Sequence, residues 1–195
     1  MTISWQQRRD LLEAVNPLLD FEGVVNTASL GYDERIVHRS SPSGGRHLDL
    51  VLKTLDISES DGIIDVGCGK GSAMKTLMRY PFKRCDGLEI SESLGVIARR
   101  NFEILGVQTE IFTGDAALFK GFDRYTFFYL YNPFPPAILV NFIENMHSYN
   151  KNQTTIIYNT PSGGLHLEGL GYKLVSHHPR DDGSGNYTNV YKRYN

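Results

Sequence analysis

The chain has 195 residues, enough for one domain with a sizeable core. Its 20 Lys+Arg against 22 Asp+Glu leave a formal charge of −2, so the basic footprint of a nucleic-acid binder is missing and such a partner is not indicated. Two cysteines without metal-ligand spacing argue against a disulfide scaffold, and no apolar run reaches membrane-spanning length or forms an export signal, so a reducing, cytoplasmic setting without a membrane partner is expected.

Residues 5–19 read as an amphipathic helix, residues 26–45 as a polar, turn-rich stretch containing Ser40-Ser41-Pro42-Ser43-Gly44-Gly45, and residues 46–55 as a second helix. This part is too short for a core of its own. Residues 1–55 are therefore expected to be a helical appendage of a single domain spanning 1–195, covering the substrate side of a site built by the rest.

From Gly62 onward strand-like and helix-like segments alternate. Residues 62–66 are a short apolar strand and 72–79 a helix. Residues 84–90 form the next strand, and 91–105 a helix that Ser91 can cap and Gly106 can end. Strands over 107–113 and 125–131 follow, then a helix over 136–149 with proline at its start, and a strand over 154–159. The alternation then gives way to two strands, 172–177 and 188–194, joined by the turn-rich loop Pro179-Arg180-Asp181-Asp182-Gly183-Ser184-Gly185-Asn186. This pattern predicts an α/β domain with an open, mostly parallel sheet and an antiparallel hairpin at its C-terminal edge. Ligands of such sheets bind at the carboxyl ends of the strands.

At the first of those ends stands Asp65-Val66-Gly67-Cys68-Gly69-Lys70-Gly71. Glycines at alternate positions allow a tight strand-to-helix turn and the close approach of a ligand to the backbone. A dinucleotide fingerprint would place glycine at the sixth loop position, where Ser72 stands, and an acid beside a pyrophosphate is unfavourable. Asp65 instead suits a cationic ligand. Three further groups occupy later strand ends: Glu89, Gly114-Asp115-Ala116, and Tyr131-Asn132-Pro133-Phe134-Pro135-Pro136. Each has a plainer reading: glycines for packing, Glu89 as a helix-dipole partner, Asp115 as a helix cap, and the prolines as punctuation.

With these motifs the chain resembles the class I S-adenosylmethionine-dependent methyltransferases, over about residues 50–158. The resemblance implies a three-layer Rossmann-like fold with a seven-stranded sheet, the fourth strand beside the first, and S-adenosyl-L-methionine as cofactor. It implies that Asp65, Gly67, Gly69 and Gly71 meet the amino-acid end of the donor, that Glu89 binds the ribose hydroxyls, and that Asp115 and the backbone of Ala116 meet the adenine. Amino-group methyltransferases of this type carry Asn-Pro-Pro and an aromatic after the fourth strand. Asn132 and Pro133 match as the groups that orient an acceptor nitrogen, while Phe134 and Pro135 depart from the pattern. The expected activity is direct in-line methyl transfer to an acceptor, a small molecule or a protein, with an amine nitrogen as one possibility. The competing readings are a non-catalytic S-adenosylmethionine-binding or regulatory module and a nicotinamide-dependent oxidoreductase. Tyr32, Arg35, His38 and Ser43 are candidates to lid the pocket, with His38 a conceivable base for an oxygen nucleophile, and Lys70 a candidate for the donor's carboxylate. His177 and His178 lack a third ligand at a recognisable spacing, so no metal is expected.

Overall fold

The computed structural model describes residues 3–26, 31 and 40–194. Its frame is a seven-stranded sheet in the order β3-β2-β1-β4-β5-β7-β6. The strands are β1 (Gly62–Val66), β2 (Arg84–Glu89), β3 (Ile111–Thr113), β4 (Phe127–Tyr131), β5 (Thr154–Asn159), β6 (Lys173–Pro179) and β7 (Tyr187–Arg193). Strands β1 to β5 are parallel, and β7 runs antiparallel to both β5 and β6. The open sheet, its antiparallel edge and the placement of β4 beside β1 agree with the sequence.

Central strands such as β1 are buried on both faces, so they read as continuous apolar runs and feed two cores. On one face Ile63, Tyr129, Ile157 and Val190 pack under α2 (Arg46–Leu52), α3 (Ser72–Leu77) and α4 (Glu92–Leu105). On the other, Ile64, Phe128, Leu130 and Tyr158 pack under α5 (Pro136–Tyr149) and α6 (Gly164–Gly169). Helix α1 (Trp5–Leu12) adds Leu12 to the first core. Arg8, 9 % exposed, ties this helix to the sheet's lower rim by donating to the carbonyls of Met78, Tyr80 and Phe82 at 2.8–3.0 Å.

Several elements are shorter than their patterns suggest. Helix α1 ends at Leu12 rather than at residue 19, because Pro17 lacks the N–H a continuing helix needs and disfavours helical Asn16. Strand β3 begins at Ile111 rather than at residue 107. Before it, Thr109 Oγ1 donates to the Cys85 carbonyl and the Glu110 N–H to Asp86 Oδ1, so side chains replace the regular ladder. Helix α6 has six residues between glycines, too few for a period to show.

Candidate active site

The register brings the carboxyl ends of β1 to β4 level: Val66 pairs with both Leu88 and Leu130, and Glu89 with Thr113. The turns that follow these strands enclose one cleft of about 1020 Å³. Of the residues named from sequence, Gly67, Glu89, Asp115, Ala116 and Pro133 lie on its wall. Asp65, Gly69, Gly71 and Asn132 stand behind that wall. Ser43 also lines the cleft, while Tyr32, Arg35 and His38 fall outside the described residues.

The glycine loop turns so sharply that the N–H groups of Gly67 and Cys68 both donate to the Leu88 carbonyl, at 2.8 and 3.2 Å. Gly67 has φ 80°, and a Cβ there would lie 2.9 Å from the Pro133 Cβ. Gly69 has φ 53°, and a Cβ would lie 2.4 Å from Ser40 Oγ. Both positions demand glycine for conformation and for space. Gly71 is the left-handed N-cap of α3, set against the Phe102 ring. Lys70 does not point at a ligand: its Nζ is paired with Asp20 at 2.6 Å and donates to the Glu22 carbonyl at 2.9 Å.

Glu89 is 5 % exposed, and its two oxygens accept from the N–H groups of Gly69 (2.8 Å) and Ser91 (2.9 Å). Burial raises its pKa, and the N–H donors of Ser91, Gly69 and Ile90 pull it partly back. A carboxylate has about four lone-pair sites, so the geometry leaves Glu89 capacity for hydroxyl donors. Asp65 is 2 % exposed. Its burial and the neighbouring Glu89 charge push its pKa well above the ordinary value. Two buried carboxylates so placed are stabilised as anions by an incoming cation. Asp115 is exposed and accepts from the Ala117 N–H at 2.8 Å, so it caps its own turn while facing the cleft. Asp86 is remote from the cleft and engaged by Arg84, Tyr125 and the Glu110 N–H.

After β4 the chain bends through Asn132 at φ 40°, and after β5 through Thr160 at φ 51°. Left-handed backbone at such residues costs on the order of 1–3 kcal/mol and marks functional turns. Asn132 Oδ1 accepts from the Ser162 hydroxyl at 2.6 Å and from Tyr158 at 3.3 Å. Phe134, 8 % exposed, packs on Phe142 with ring centroids 5.6 Å apart and also faces the cleft.

Sequence reasoning expected an N-terminal cover and named Ser43 in it, but missed the other residues that form this wall. Phe21 lines the cleft, stacked edge-on against Phe102 at 5.6 Å, and residues 40–43 line it from the side of Gly69. A backbone bridge between Val25 and Ser40 holds these two pieces together. A lone phenylalanine between acids carries no periodic signal. Of the serine–proline stretch only Ser43 was singled out, the rest reading as a turn.

Residues 63–153 match the model of the methyltransferase domain family. An RNA methyltransferase from Salinibacter ruber, solved with S-adenosyl-L-homocysteine, is 20 % identical over 78 % of this chain and 92 % of that one, with a TM-score of 0.60. A putative methyltransferase from Escherichia coli, yhhF, is 15 % identical over 79 % and 88 %, with a TM-score of 0.62. An S-adenosylmethionine-dependent methyltransferase from Clostridium acetobutylicum is 10 % identical over 76 % and 91 %, with a TM-score of 0.58. At these identities the likeness is one of fold, and no curated protein matches the sequence. Residues 63–153 thus resemble a methyltransferase domain, and the chain has the class I, Rossmann-like fold of such proteins. This likeness points to methyl transfer, with S-adenosyl-L-methionine as the expected donor.

Proposed function

We propose that the protein transfers the donor's methyl group to an amine nitrogen by in-line displacement, in the cleft between the glycine loop and the Tyr131–Phe134 turn. The observation that carries this reading is the convergence of four strand-end turns on one cleft, with buried Glu89 on its wall and buried Asp65 behind it. S-adenosylmethionine supplies a methyl group on a sulfonium sulfur, and its displacement by a neutral nucleophile leaves a neutral thioether. That chemistry asks the protein for alignment and a dry pocket more than for a base.

Each predicted residue has a part in this reading. Glu89, fixed by two backbone donors, accepts from the ribose hydroxyls, and Asp115 with the Ala116 N–H meets the adenine. Asp65, behind the glycine loop, favours the donor's positive charge through space or a water. Phe21 and residues 40–43, on the cleft wall, give the N-terminal part its role as a cover. Asn132 and Pro133 orient the acceptor. An acceptor N–H reaching Asn132 Oδ1 takes the place of the exposed Ser162 hydroxyl that donates there now.

Calorimetry tests the donor site. S-adenosylmethionine binds, NAD does not, and Glu89→Ala weakens the donor by about tenfold or more, as loss of charge-assisted hydrogen bonds predicts. Tight NAD binding without donor binding overturns the reading. Labelled methyl donor offered with fractionated cell extract tests the acceptor side. Asn132→Ala loses turnover while keeping donor affinity, and unchanged turnover removes Asn132 from the mechanism.

A further inference from the structure

One row of the sheet leads away from the cleft. Across β4, β5, β7 and β6 the register sets Tyr131 beside Asn159, Asn159 beside Thr188, and Thr188 beside His178. Directly paired residues share a face. His47 of α2 identifies which face, because its Nε2 lies 2.9 Å from Thr188 Oγ1. Asn159 continues the row by accepting from Thr188 Oγ1 at 3.2 Å. Tyr131 lines the cleft. Arg180 follows His178 by two positions, and its N–H extends the hairpin ladder by donating to the Asn186 carbonyl at 2.9 Å. Arg180 therefore projects to the same face as His178. Three basic side chains from two elements thus gather at the far end of a polar row that starts at the cleft wall.

This cluster is poorly satisfied by its own surroundings. The Arg180 Nε is enclosed and has no hydrogen-bond partner among the described residues. Its Nη1 reaches Asp182 only at 3.7 Å. His47 and His178 each engage one ring nitrogen, on Thr188 and Ser176 respectively, and a protonated imidazole donates from the other. Burial depresses both histidines. Arg180 and His178 add to this at His47 against the opposing pull of Asp182 and Asp181, and His177 adds to it at His178. A guanidinium fork beside two imidazoles suits an oxyanion.

We infer that His47, His178 and Arg180 form a subsite for a phosphoryl or carboxylate group carried by the methyl acceptor, at about 10–14 Å from the Tyr131 wall, two to three strand spacings along the row. The acceptor is then an extended anionic molecule, with its nucleophile at the cleft and its charge at the hairpin. This assignment rests on placing the acceptor beside Tyr131 and Pro133, as proposed above.

The test is histidine NMR on the full-length chain, without donor, titrated with inorganic phosphate, sodium acetate or sodium chloride at matched ionic strength. Phosphate or acetate raises the midpoints of His47 and His178 saturably. His147, held down to about 4 chiefly by burial, serves as the control that does not respond. The more effective anion distinguishes a phosphoryl from a carboxylate ligand. Arg180→Gln weakens the response by about tenfold. Asp182→Asn, which removes a competing carboxylate, tightens it. Equal shifts with chloride, or an unchanged half-saturation in Arg180→Gln, overturn the subsite. Donor calorimetry on Arg180→Gln keeps the two readings apart, because donor affinity stays at the wild-type value. Failure of the wild type to bind donor sinks the proposed function and leaves the anion titration to stand or fall by itself.

Discussion

In the proposed donor site, Asp65 and Glu89 are expected to set the pH behaviour. Both carboxyls are raised in the folded protein, chiefly by burial. The folded state therefore holds protons that the unfolded chain has already released above the ordinary carboxylate range. Their contribution to stability is greatest below that range and falls as pH rises toward the raised folded-state values. Donor binding runs the other way, because a cation favours the ionised form and displaces the proton. Donor affinity is expected to rise with pH across the same window, with proton release visible as a buffer-dependent enthalpy in calorimetry. Asp65→Asn removes the buried charge. It raises the melting temperature at pH 8 more than at pH 5, and it flattens the pH dependence of donor binding. A variant that keeps the wild-type slope assigns the slope to other groups. These two acids were legible in the sequence because each stands at or next to the carboxyl end of a short strand. Phe21, on the same cleft, was not, because nothing local distinguishes it from any other apolar residue in a polar stretch.

Elements were legible where local chemistry and packing agree. Helix α5 begins at Pro136 and strand β5 spans Thr154–Asn159, as the patterns of their residues require. The failures lie at ends, where Pro17 cuts α1 short and side-chain bonds from Thr109 and Glu110 delay β3. The same distinction predicts which strands tolerate change. Ile64 sits in the central strand and is fully buried, so Ile64→Ala is expected to cost about 2–5 kcal/mol in urea unfolding. Leu174 on edge strand β6 is 46 % exposed, and Leu174→Ala should stay within about 0.5 kcal/mol. Between strand and helix, Gly67→Ala meets both a positive φ and the Pro133 ring. It should weaken donor binding by displacing the Asn132–Pro133 turn, measurable by calorimetry alongside an unfolding curve. Donor affinity equal to wild type would show that the turn and the glycine loop move independently.

At the scale of the whole molecule, the sheet and the donor-side turns follow from the strand-by-strand reading, whereas the cover over the cleft depends on contacts between distant segments. Lys70 pairs with Asp20, and Asn101 Nδ2 donates to the carbonyls of Asp20 and Lys70 at 2.8 and 3.0 Å. Phe21 packs between Phe102 and Lys75, whose Nζ stands 5.4 Å from its ring centroid. The ties to Asp20 and Phe21 span fifty or more residues of sequence, so no local pattern encodes them. They fix one end of the cover to the glycine loop, and the Val25–Ser40 bridge carries that restraint to residues 40–43. Only the Lys70–Asp20 pair is strongly exposed on one side, with Asp20 51 % exposed, and an isolated surface pair of this kind contributes about 0–1 kcal/mol. Among the described residues the cover has no ladder beyond the Val25–Ser40 bridge, and it is expected to open locally far more often than the sheet unfolds. Amide hydrogen exchange followed by mass spectrometry tests this. Peptides over residues 19–25 and 40–45 should exchange faster than those of β1 and β4 in the free protein, and S-adenosylmethionine should slow them. Lys70→Met should speed exchange over residues 19–25 without donor and leave β1 unchanged. Protection gained by the glycine loop alone, with the N-terminal peptides unaffected by donor, would mean that the segment packs beside the cleft without closing it.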